Sequence, residues 1–126
     1  MQGKVGIVLI SLFSLFSCAN TKHRITLDQF DKMVVQENIQ VLDLRTESEV
    51  KSTGIIKDAQ VKNYFDSDFN DFVGNLDKSK EYVIYCRSGG RSSRAVNNFL
   101  KAGLKVHELG MGIDGWQEKG RSLVKN

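Results

Sequence analysis

Tyr82-Val83-Ile84-Tyr85-Cys86-Arg87-Ser88-Gly89-Gly90-Arg91-Ser92-Ser93-Arg94-Ala95-Val96 is the stretch that decides the architecture. Its first four residues are β-branched or aromatic throughout and predict a strand over 82–85. Residues 87–91 carry two arginines and two adjacent glycines and do not read as strand. A helix opens at Ser92 or Ser93, with Ala95, Val96, Phe99 and Leu100 as its apolar stripe and Gly103 as its stop.

The same alternation extends outward. Thr26 precedes Gln29 by three, a capping-box spacing, and Leu27, Phe30, Met33 and Val34 follow at helical intervals, so the spacing predicts a helix over 27–36. A short buried strand is predicted over 39–44, around Val41 and Leu42. Thr46 with Glu49 is a second capping box, opening a brief helix to about Ser52, with Gly54 ending it. A weak strand is expected over 59–63, and a helix over 66–76 with Phe69, Phe72 and Val73 on one face. After Gly103, Lys105 to Leu109 reads as another strand. A glycine-rich turn follows, then Ile113 and Trp116 on a last short helix. Strands alternating with helices at this spacing predict an α/β fold with a mostly parallel sheet flanked by helices. Trp116, Phe69, Phe72 and Phe99 are expected in the core, and Tyr85 faces either the core or a pocket.

In such sheets, ligands bind beyond the carboxyl ends of the strands, which is where Cys86 stands. Gly89-Gly90 allows a tight curl with positive φ that brings backbone N–H groups together as an anion nest. The helix that follows adds the positive end of its dipole, and Arg87 and Arg91 add two permanent charges. No residue of the loop is acidic. Backbone donors, helix terminus and arginines all favour thiolate over thiol at Cys86. Cys86 is thus the candidate nucleophile, and Arg87, Ser88, Gly89, Gly90 and Arg91 are the candidate binding loop for an anion.

The chain has 126 residues with 18 Lys+Arg, 15 Asp+Glu and two cysteines. Lys4 followed by an apolar run of 13 residues, Val5 to Ser17, is too short to span a membrane and fits the core of a secretory signal. The run ends Leu15-Phe16-Ser17-Cys18, which resembles the lipobox of bacterial lipoproteins. That resemblance implies cleavage before Cys18, lipidation of its thiol, and a chain held on the outer face of a bacterial cell membrane. The expected organisation is a signal peptide over 1–17, a lipidated tether over 18–24 and one domain over 25–122. Removing 17 of 126 residues leaves 109, enough for a core without disulfides. The remaining charge, about +2, and the absence of a basic run argue against nucleic acid. With Cys18 lipidated, Cys86 is a lone thiol in an oxidising compartment, the pattern of a reactive cysteine. His23 and His107 make no metal cluster, and no oligomerisation signal stands out, so a monomer is expected.

Cys86-Arg87-Ser88-Gly89-Gly90-Arg91-Ser92 resembles the active-site loop of rhodanese-type sulfurtransferases. The likeness extends over most of residues 25–122. Val41-Leu42-Asp43-Leu44-Arg45 with Glu49 is similar to the family's strand-Asp-x-Arg segment. Gly54-Ile55-Ile56 with Ala59 is similar to its Gly-His-Ile segment, and Gly112-Ile113 with Trp116 to its closing Gly-Gly-x-x-x-Trp. Ile55 replaces the usual histidine, and Met111 stands where the first paired glycine is expected. The resemblance implies the rhodanese-like three-layer fold and a persulfide mechanism. Cys86 would take sulfur from thiosulfate or a similar donor, such as a mercaptan or polysulfide, and pass it to cyanide or a thiol, with Arg87 and Arg91 on the donor's sulfonate. No metal or organic cofactor is implied. Two other readings stand beside it. A rhodanese-like module can bind a partner or sense sulfur without catalysis. Cysteine-dependent phosphatases and arsenate reductases also cradle an anion, but their loop has five residues between cysteine and arginine, and this one has four. In that reading Asp43 is a general acid; otherwise it pairs with Arg45.

Overall fold

The structure, a computed structural model, describes residues 21–125. Four parallel strands make one sheet: β1 (Ile39–Asp43), β2 (Gln60–Val61), β3 (Glu81–Tyr85) and β4 (Lys105–Glu108), in the order β2-β1-β3-β4. β1 and β3 form its centre in a register that pairs Asp43 with Tyr85. The helices are α1 (Leu27–Met33), α2 (Glu47–Thr53), α3 (Phe69–Gly74), α4 (Gly90–Lys101) and α5 (Gly112–Glu118). Side chains alternate across a strand, and β3 shows it. Tyr82 and Ile84 pack under α3 and α4 with Phe69, Val73, Val96 and Phe99. Val83 and Tyr85 pack on the other face with Phe30 of α1 and Ile113 and Trp116 of α5. Helices therefore cover both faces, the three-layer α/β arrangement expected from the alternation of elements.

Both capping boxes form. Thr26 Oγ1 accepts from Gln29 N and Gln29 Oε1 from Thr26 N; Thr46 and Glu49 do the same at α2. Several boundaries differ from expectation. α1 stops at Met33 because Val34 and Val35 are exposed and have no core to join. α3 is limited to Phe69–Gly74 because residues 63–68 turn on themselves, with Asn63 and Asp66 accepting backbone bonds. α4 begins at Gly90, ahead of Ser92, because Gly89 takes a left-handed conformation (φ 104°) and starts the helix at once. Its buried face is Ser92, Ala95, Val96 and Phe99. Leu100 lies about 90° round the helix from the centre of that face and is exposed.

Residues 21–24, expected as tether, fold onto the sheet. Thr21–His23 form a 3-10 turn, Arg24 bridges to Glu108, and Ile25 N–H donates to Glu108 O. They cover the outer edge of β4, whose backbone groups would otherwise lack partners. At the other end, Val124 exchanges both backbone bonds with Ile55, so the residue in the usual histidine's place is a buried apolar contact at a backbone bridge. Asp43 is fully buried and held by Arg45, Nη2 to Oδ2 at 2.7 Å and Nε to Oδ1 at 2.9 Å. Arg45 also donates to Gly54 O and Thr53 Oγ1. The structure therefore places Asp43 in a pair that ties the end of β1 to α2. Tyr85 belongs to the core, its hydroxyl accepting from Ile56 N–H; burial raises its pKa further than the Asp43 carboxylate nearby.

Candidate active site

β3 is buried on both faces and ends at Tyr85, so the chain must leave the sheet at Cys86. The loop from Cys86 to Gly89 closes against the start of α5. Ile113 N–H donates to Cys86 O and Asp114 N–H to Arg87 O, both at 3.0 Å. These are first-turn amides of α5 with no intrahelical acceptor, and the loop supplies one. That approach requires a glycine at 112, where φ is 61° and a Cβ would collide with the carbonyls of Arg87 and Cys86. Met111, one residue earlier, has φ −70°, which any residue adopts. The departure from the paired-glycine pattern thus falls on the position that does not need glycine.

The Cys86 side chain is 1% exposed. Gly89 N–H donates to its Sγ at 3.2 Å and Ser92 N–H at 3.4 Å. Gly89 makes this possible through its φ of 104° and through contact with Gly110 O, which a Cβ would approach to 2.5 Å. Two backbone donors converging on one sulfur favour negative charge there. The amides of Gly90 and Arg91, in the first turn of α4, lack intrahelical partners by helix geometry and extend the donor set around the loop. The concave curl expected of Gly89-Gly90 is therefore present, with Gly89 in the strained conformation and Gly90 in open space.

The two loop arginines differ. Arg87 is 67% exposed, with Asp114 at 3.6 Å. Arg91 is mostly buried and grips Glu49 of α2 with both arms of its fork, at 2.7 and 2.8 Å. These bonds, helped by Thr46, hold the Glu49 carboxyl down at about 2 against the effect of burial. The same carboxylate, and to a smaller degree the nearby Cys86 sulfur, keeps Arg91 protonated more firmly than usual. The Arg91 guanidinium also lies 5.8 Å from the ring centroid of exposed Phe65. Ser88 is exposed at the tip of the loop. The structure thus brings the amides of Gly89 and Ser92 onto the Cys86 sulfur and the Arg91 charge within its influence, with Gly90 in the first turn of α4 and Arg87 and Ser88 exposed. Cys18 and the apolar run before it lie outside the described residues.

Three residues at the site were given no role in it by the sequence. Ser92 closes the loop stretch and marks a helix start, Glu49 is a helix cap in the strand-Asp-x-Arg segment, and Glu108 falls within a predicted strand. Ser92 and Glu108 are fully buried. Ser92 Oγ donates to Glu108 Oε2 at 2.6 Å and lies 3.6 Å from Cys86 Sγ, whose thiol proton it accepts. The available signal was an acidic residue at an inward position near the carboxyl end of a strand, where only a partnered charge is tolerated.

A cleft of about 500 Å³ lies beside the loop between α2 and α5, lined by Ser48, Glu49, Ser52, Arg87, Asp114 and Gln117 among others. Among the described residues, no cluster of three metal-ligating side chains forms, and no helix is long and apolar enough to cross a membrane.

Residues 26–119 match the family model described as Rhodanese-like domain. The chain is 32% identical over 90 residues to a protein of Allochromatium vinosum named sulfurtransferase, covering 70% of this chain and 80% of that one. It is 29% identical over 96 residues to YtwF of Bacillus subtilis (strain 168), covering 76% and 88%. A solved structure of a rhodanese-related protein from Thermoplasma volcanium superposes with a TM-score of 0.68 at 26% identity, over 79% of this chain and 94% of that one. With Cys86 seated on backbone donors between a parallel strand and a helix, and with the match running across nearly the whole described chain, the protein belongs to the rhodanese-like domain family.

Proposed function

We propose that the protein transfers sulfane sulfur from thiosulfate or a similar anionic donor to cyanide or a thiol through a persulfide on Cys86. The observation that carries this reading is the Cys86 sulfur at the end of β3, buried and facing the amides of Gly89 and Ser92. The Cys86 thiolate attacks the outer sulfur of the donor. The new S–S bond forms as the donor's bond to the sulfonate sulfur breaks, and sulfite leaves with the electron pair. The persulfide keeps one negative charge, which the loop amides stabilise as they did the thiolate. The acceptor then attacks the outer sulfur and regenerates the thiolate. Two half-reactions through a covalent intermediate give ping-pong kinetics.

The donor's sulfonate oxygens meet the first-turn amides of α4, with the Arg91 charge behind them and Arg87 free to reach in from solvent. The polar cleft beside Arg87 supports approach of a small polar acceptor along that side. Incubation with thiosulfate followed by intact-mass measurement should add one sulfur atom, located on Cys86, removable by cyanide and absent in Cys86→Ser. Failure of the wild type to gain sulfur from thiosulfate, a mercaptan donor or polysulfide would remove the enzymatic reading and leave a binding or sensing module.

A further inference from the structure

Glu108 is a fully buried carboxyl at the end of β4 that sulfur transfer, as described, does not use. Its surroundings are few. Oε1 faces Arg24 Nε at 3.4 Å, from the segment before α1. Oε2 faces Ser92 Oγ at 2.6 Å, from the first turn of α4. Behind Ser92 stands Cys86, whose sulfur lies near enough to the Arg91 guanidinium to interact with its charge. Arg24 reaches Glu108 by lying across Gly110, where a Cβ would come within 2.6 Å of its Nε.

A serine hydroxyl has one proton. Among the acceptors near Ser92 Oγ, Glu108 at 2.6 Å is far shorter than Gly89 O at 3.3 Å, and a short bond to a carboxylate takes the proton. Ser92 therefore turns a lone pair to Cys86, which suits a thiol but opposes a thiolate. The conflict is relieved in one way that keeps every group partnered. The Cys86 proton passes to Ser92 Oγ, and the Ser92 proton passes to Glu108 Oε2. The sulfur is then an anion accepting an O–H bond, Ser92 is again neutral, and Glu108 is a carboxylic acid donating to Ser92. One S–H bond and one O–H bond break, two O–H bonds form, and the total charge is unchanged.

We infer that Glu108, through Ser92, is the positioning residue that stores the Cys86 proton while the sulfur is thiolate or persulfide and returns it when the acceptor departs. The inference rests on the sulfur-transfer reading for its purpose, but its test reads the thiol itself. The experiment follows the iodoacetamide alkylation rate of Cys86 and its ultraviolet thiolate absorbance against pH. The full chain is compared with Glu108→Gln, Ser92→Ala and Ser92→Thr, each checked for folding by its circular-dichroism melt. At about pH 6, below the ordinary range of a free thiol, Glu108→Gln should alkylate at least about tenfold more slowly, the lower end of what a positioned base contributes. The loss should close as pH rises past that range. Ser92→Ala should match it, and Ser92→Thr, which keeps the hydroxyl, should stay near the wild type. Alkylation of Glu108→Gln that equals or exceeds the wild type at low pH overturns the inference, because the carboxylate then acts only as a repelling charge or a strut. A loss that is the same at every pH, or an unaffected Ser92→Ala, overturns it too. Persulfide formation, measured on the same samples, separates the two ideas. Without it, normal relay behaviour refutes only sulfur transfer; with it, wild-type alkylation of Glu108→Gln refutes only the relay.

Discussion

Replacing Glu49 with glutamine removes one charge and almost no shape. Glutamine still offers an Oε1 to Thr46 N–H, so the cap of α2 survives and the variant isolates the pair with Arg91. The Glu49 carboxyl falls from 4.5 to about 2, chiefly through its hydrogen bonds to Arg91. At about 1.4 kcal/mol per pH unit, that corresponds to a stabilisation on the order of 3 kcal/mol. Thr46 supplies part of it. The two side chains also keep 25% and 16% of their exposure, so solvent screens the pair to some degree. Glu49→Gln should therefore lose about 2 kcal/mol near neutral pH. The folded-state value lies below the unfolded one. The contribution is thus complete above the unfolded value of 4.5 and disappears as pH falls towards about 2. Urea denaturation of both proteins across this range should show a gap that is constant above about pH 5 and closes on acidification. A gap under about 0.5 kcal/mol at neutral pH, the worth of an ordinary surface pair, would refute the reasoning. So would a gap that persists at the acid end.

A glycine packed against the loop gives a matched test against an open one. Gly112→Ala should lower both stability, by about 1–3 kcal/mol for a left-handed non-glycine residue, and the rate of persulfide formation, since the collision is with the carbonyls of Cys86 and Arg87. Gly90→Ala meets nothing within 4 Å and has an ordinary φ, so it should be neutral or stabilising by up to about 1 kcal/mol in thermal melts. Asp43→Asn leaves the Arg45 charge buried with half a partner and should cost about 3–5 kcal/mol in urea denaturation. For the N-terminal segment, metabolic labelling with a fatty acid in a bacterial host should mark the wild type and not Cys18→Ser; an unlabelled wild type would refute the lipoprotein reading.

Much of the architecture was legible because its causes are local. A capping box spans three residues, and both boxes form where the spacing put them. The β-branched run before Cys86 becomes a strand because its alternate side chains enter two separate cores, and the Gly-Gly pair becomes a curl because a residue with positive φ is needed there. The ends of α1 and α3 were less legible, since whether Val34 or Asp66 continues a helix depends on what the neighbouring layer offers to cover it. Leu100 has the right spacing for the stripe of α4 but sits at its border, which periodicity alone places only to within a residue.

What the sequence by itself determined is the order of strands and helices, the glycine loop after β3 and the position of its thiol, all set by backbone preferences within a few residues. What only the tertiary structure decided is the electrostatics of that loop. Read alone, it is purely cationic. Folded, it receives Glu49 from 42 residues upstream onto Arg91, and Glu108 from 16 residues beyond Ser92. The physical reason is that a charge's effect depends on distance and burial, and folding sets both by bringing separate strands and helices to one end of the sheet. The same holds for the glycines, since only the packed α5 shows that position 112, and not 111, must lack a side chain.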